Sequence, residues 1–202
     1  YKQRLVSLLL ELYGDEWLLL PAMHYRWNHK NTPFIFQEFG KIVNPRFPAL
    51  IRGPLGKKIA GRFKDMVPYL GVTNKTIPAL EAWYEKSFLI DLDKHFSIYP
   101  FLLGDKPCVG DFGFYGPLFA HLYRDPYPGK LMKDIAPNVA KWVERMTDAS
   151  LVNGEFLADD EVPETLFPII RDCFDTQWPV LEDTANQLTD WYARETNDIH
   201  IA

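Results

Sequence analysis

Four neighbouring side chains, His24, Tyr25, Arg26 and Trp27, are the part of this sequence best supplied for holding a small molecule. Tyr25 and Trp27 offer aromatic faces on which an apolar small molecule could stack, and Arg26 offers a cation to balance an anion. The competing reading gives both rings to the core and Arg26 to a structural salt bridge, and the residue types leave both open. A second group is Asp91, Asp93 and His95. Asp91 and His95 stand four apart, so on a helix they share a face at the spacing of a metal pair. No third ligand of fitting position accompanies them, and an ordinary ion pair is the expectation. Cys108 falls at the start of a helix, where a thiolate is stabilised, although burial as a plain packing residue is the preferred reading. Cys173 reads as packing. His121, Arg124 and Asp125 close a helix, and the two cations complement the negative end of its dipole. No Ser/His/Asp, Cys/His or paired-carboxylate set has a spacing that certifies it, so no catalytic residue and no metal site is assigned.

Helices must carry these residues, because apolar positions recur at helical rather than strand spacing almost throughout. Lys2–Tyr13 is apolar over more than one stripe, which places it between neighbours. The pattern restarts at Asp15 and runs to Trp27, with Gly14 or Pro21 as a possible kink. Asn31-Thr32-Pro33 opens a helix that Asn44-Pro45 stops. From Pro45 to Gly71 the prolines and glycines predict one short helix, near Leu55–Met66, between irregular segments. A long helix follows over Thr76–Phe96, then a turn at Pro100–Pro107 and a helix over Cys108–Tyr123. That helix is expected to be the most buried, since apolar Val109, Phe112, Phe114, Leu118 and Phe119 are interspersed with small Gly110, Gly113, Gly116 and Ala120 that let neighbours approach. Helices near Lys130–Ile135 and Asn138–Met146 come next, and Pro163–Cys173 and Gln177–Glu195 form a two-helix tail.

The 202 residues, 47% hydrophobic and 15% aromatic, suffice for one domain with a full core. A net charge of −5 argues against nucleic acid or an anionic membrane as partner. The basic stretch Lys57, Lys58, Arg62 and Lys64 reads as the solvated face of a helix. No run approaches the ~20 apolar residues of a bilayer span. Two cysteines without a CxxC pair fit a reducing, cytoplasmic compartment.

One segment is more informative than these averages. Pro100-Phe-Leu-Leu-Gly-Asp-Lys-Pro-Cys-Val-Gly-Asp111-Phe resembles the sequence that opens the central buried helix of the glutathione S-transferase C-terminal domain. In physical terms it is a capping box, with Asp111 as the acid that bonds back to the helix start and meets the positive end of the dipole. Cys108 stands where that family carries Ser or Thr, which weakens the cap by up to ~1 kcal/mol. Removing Asp111 from the cap alone should cost about 1–2 kcal/mol. Ile135–Met146, with its proline and Trp142, resembles the family's next helix, and Leu9–Trp27 its first.

This resemblance implies an all-α fold: a glutathione S-transferase C-terminal-like bundle occupying 1–202 as a single domain. Residues 28–75 would be an insertion and 155–202 a C-terminal extension. It also implies that His24–Trp27 line the hydrophobic-substrate pocket of a glutathione-dependent transferase or reductase. A thioredoxin-like N-terminal half would bind glutathione as cosubstrate and supply the activating residue. That half would lie upstream of Tyr1, so this chain is expected to carry no cofactor and no activity by itself. The implied partners are that missing domain, a small apolar electrophile and a second subunit in a homodimer. The same helical domain also serves as a non-catalytic docking module in translation elongation factor and aminoacyl-tRNA synthetase assemblies, which is the rival reading.

Overall fold

The chain is helical from its second residue. In the computed structural model, which describes residues 1–28, 30–148 and 153–195, α1 (Lys2–Leu12) passes through a π turn at Tyr13–Trp17 into α2 (Leu19–Arg26). The extra residue of the π turn takes the place of a break at Gly14, and Pro21 sits inside α2 without ending it. Gly14 serves a crossing instead. A Cβ there would lie 2.5 Å from the carbonyl carbon of Gly113, and one on Gly113 would lie 2.6 Å from the Glu11 oxygen. Bare backbones at that point let α7 (Val109–Pro117) cross α1 in direct contact.

The long helix read at Thr76–Phe96 is α5 (Ile77–Trp83), a π turn at Tyr84–Phe88 and α6 (Leu89–Phe96). A π turn at Leu118–Tyr123 extends α7, and α8 (Pro126–Ile135) and α9 (Pro137–Met146) follow. Trp142, Tyr13, Tyr25, Tyr84 and Phe114 are the largest fully buried side chains, and they mark a core enclosed by these helices. Helix accounts for 77% of the described residues, so the fold is all-α. Among the described residues, extended pairing is confined to isolated bridges of Gly104 with Phe101 and Phe156.

Three expectations change. The start of α7 turns Gly110, Asp111 and Phe114 inward but leaves Val109 and Phe112 exposed, because none of the described residues covers that side. The segment after Pro45 is no short helix. α3 (Thr32–Val43) and α4 (Ala49–Lys64) form a hairpin, and α4 continues through Gly53, Pro54 and Gly56. A Cβ on Gly56 would lie 1.8 Å from the Phe36 oxygen, and one on Gly40 2.3 Å from that of Arg52. Close packing of the two helices overrides the poor local propensity. The hairpin packs mainly on itself, with Trp27, Ile35 and Ala60 as a small separate core at its base.

The tail, finally, is one helix rather than two: α10 (Phe167–Asp172), a π turn at Cys173–Gln177 and α11 (Trp178–Glu195) run on without interruption. It is anchored where Asp172 accepts bonds from the Tyr13 hydroxyl and from Trp83 Nε1 at 2.6 Å. Gln177 donates to the Leu12 carbonyl at 3.3 Å, next to the first π turn.

Candidate functional site

α2 carries His24–Trp27 into the interior, and distant helices meet three of the four with carboxylates. His24 Nε2 lies 2.9 Å from Glu81 Oε1. The Tyr25 hydroxyl donates to Glu85 Oε1 at 2.5 Å. Arg26 donates from Nε and Nη2 to Asp125 at 3.0 and 3.1 Å, and from Nη2 to the Ala120 carbonyl at 3.3 Å. Asn31 adds an amide donor to the same Asp125 at 3.0 Å and a second to the Arg26 carbonyl. Tyr25 is fully buried between Tyr84 and Tyr127. Burial first, then the Glu85 carboxylate, raises its hydroxyl far above the usual phenol range. It is a fixed proton donor and cannot act as a base. Sequence reasoning missed these partners. Glu81 and Glu85 stand four apart on one helix, which is the one local sign that they face the same neighbour.

Trp27 and Arg26 reach an open cavity. With Met23, Phe39, Phe63 and Met66 they line a largely apolar pocket of about 380 Å³ between α2 and the base of the hairpin. Trp27 Nε1 is buried without a hydrogen-bond partner. His24 and Trp27 border a smaller space of about 300 Å³. A third trough, of about 640 Å³, lies across the starts of α1 and α7, with Leu8, Val109, Phe112 and Phe156 on its walls. Phe63, Met66 and Phe112 carried no signal in the sequence, because exposed rings and thioethers look like core until the packing is known.

At the head of α7 the capping acid does more than cap. Asp111 accepts the Cys108 N–H at 2.9 Å, as the sequence implied. It also accepts the Leu102 N–H at 3.1 Å and Trp142 Nε1 at 3.0 Å, and it is wholly buried. Burial outweighs these donors and pushes its carboxyl up to about 6. The buried Cys108 thiol is pushed up to about 12 by desolvation and then by Asp111, so the helix start does not activate it. Ellman's reagent should therefore label Cys108 of the folded chain far more slowly than after denaturation. Labelling at the rate of a free thiol would contradict this.

The remaining candidates are structural. His95 makes no ion pair with Asp91. It is fully buried between Thr165 Oγ1 at 2.7 Å and the Phe101 carbonyl at 3.2 Å, and burial lowers it to about 4. Asp93 accepts the Asn138 N–H at 2.6 Å and the Val139 N–H at 3.3 Å at the head of α9. Among the described residues, no group of His, Cys, Asp and Glu could hold a metal. His121 is lowered to about 4 by burial and then by Arg26, so it is neutral and adds no charge to the end of its helix. Asp125 belongs to Arg26 and Asn31 rather than to the helix end.

Compared with known proteins, the chain matches no family model, no curated protein and no solved structure.

Proposed function

We propose that this chain is the helical C-terminal half of a glutathione S-transferase-like protein, supplying an apolar wall and a docking face but no activating group. The carrying observation is the uncovered apolar trough over α1 and α7. Val109 and Phe112, half exposed or more, flank a capping box of the kind that opens the family's central helix. An uncovered trough of this kind suits a second domain, and the resemblance makes that domain the thioredoxin-like half. The electrophile would rest in the pocket beside Trp27 and Arg26, against Met23, Phe39 and Met66.

One observation favours the rival reading, a docking module without chemistry. His24, Tyr25 and Arg26 are each held by a carboxylate, which leaves none of them free to steer a substrate. Fluorescence titration with an apolar aryl sulfonate separates the two. Under the transferase reading the dye binds with a dissociation constant on the order of 0.1 mM. The Phe63→Ser and Met66→Ser variants, altered at exposed positions, weaken it severalfold. Binding unchanged by both substitutions would remove the electrophile pocket and leave the docking module.

A further inference from the structure

We propose that the tip of the α3–α4 hairpin is a membrane-docking element that seats on an anionic lipid surface. Between residues 39 and 64 the sequence contains seven Lys and Arg and no Asp or Glu. The whole chain is nevertheless acidic, at −5, so averaging over its length conceals this segment. Among the described residues, the ion pair found in the segment is that of Lys41 with Glu38, at its edge. Arg46, Lys57 and Lys58 are exposed and face solvent as cations.

The same tip exposes aliphatic side chains that a soluble turn does not require. Ile42 is 79% exposed and Leu50 89%, with Val43 and Ile51 each about half exposed beside them. They flank the turn Asn44–Pro48, in which Asn44 Oδ1 accepts the Arg46 N–H at 2.9 Å and the Asn44 carbonyl accepts the Phe47 N–H at 3.2 Å. Two prolines, Pro45 and Pro48, remove two further N–H donors from the turn. The connecting backbone thus has few unpaired donors to carry into a medium of low polarity. Aliphatic groups at the end of a hairpin that also exposes cations, Arg46 in the turn and Lys57 and Lys58 along α4, match the two layers of a lipid surface. The apolar groups enter the acyl boundary, and the long basic side chains stay at phosphate level. A net-neutral or acidic protein partner would use the aliphatic groups but would not call for so one-sided a charge.

Cosedimentation of the full chain with vesicles tests this, using phosphatidylcholine alone and phosphatidylcholine with about 30% phosphatidylserine. Binding should be roughly tenfold or more stronger to the anionic vesicles, and raising NaCl to about 0.5 M should erase most of that difference. Ile42→Ser/Leu50→Ser should weaken binding roughly tenfold while leaving the thermal melt unchanged, because both side chains are already in water. Lys57→Glu/Lys58→Glu should abolish the preference for phosphatidylserine. The proposal is overturned by equal or absent binding to the two vesicle types, or by tip variants that bind as the parent does. It is also overturned if the tip substitutions instead dissolve a self-associated form of the chain, which would give the surface to a second copy.

Discussion

Replacing Asp111 by alanine lowers the stability of the chain by about 3 kcal/mol at pH 7 in chemical denaturation, and by more at pH 5. The substitution strands three buried donors at once, from Cys108, Leu102 and Trp142. Each unpaired donor costs about 1–3 kcal/mol, and part of this is offset at neutral pH because a buried carboxylate charge disappears with the residue. The direction of the pH dependence follows from the raised carboxyl. Burial pushes the Asp111 carboxyl of the folded chain up to about 6, above the usual carboxylate range, so the folded state holds that proton more tightly than the unfolded one. Its contribution is complete below pH 4 and declines as pH rises through 6. The difference between parent and variant must therefore shrink from pH 5 to pH 8. A loss below about 1 kcal/mol, or one that grows with pH, would mean that Asp111 acts as a simple surface cap.

The second large effect is expected at Asp125. Asp125→Ala should cost about 3–5 kcal/mol, because it leaves the guanidinium of Arg26 largely buried without its counter-charge and takes an acceptor from Asn31. Asp125→Asn, which keeps one acceptor, should lose less. Asn31 stands at the entry to α3, so the same substitution should loosen the hairpin before the main core. Amide hydrogen exchange would register this as earlier opening of α3 and α4. If Asp125→Ala proves harmless, Arg26 is not a structural partner and is free to turn toward the pocket it borders.

What was legible in the sequence were features set by neighbours in the chain. Asn31-Thr32-Pro33 and Asn44-Pro45 bound α3 as read, although Asn31 makes no capping bond there and gives its amide to Arg26 and Asp125 instead. The Cys108–Asp111 cap was legible because it acts within one turn. The Leu102 and Trp142 bonds to Asp111 were not, although a buried Trp N–H usually finds an acceptor. α4 escaped because its glycines and Pro54 argue locally against helix, while the value of Gly56 lies in contact with Phe36 and Gly40, twenty and sixteen residues back. The break read between Cys173 and Gln177 is instead a π turn inside an unbroken helix. Within the site, the aromatic cluster was visible, but Glu85 and Asp125, which take Tyr25 and Arg26 out of use, come from helices far along the chain.

On the proposed reading, the chain is a helical half and should hold no glutathione site of its own. Glutathione is a charged tripeptide, and holding it requires backbone pairing and free charge partners. His24, Tyr25 and Arg26 are each committed to a carboxylate. The trough over α1 and α7 is walled largely by apolar groups, with Arg4 as its one side-chain cation among the described residues and Asp160 already paired with the amine of Tyr1. Isothermal calorimetry of the chain with glutathione tests this most directly. We expect no saturable heat up to millimolar ligand, at about the weakest affinity the method reads. Stoichiometric binding in the micromolar range would contradict the account and show that this chain carries a complete site.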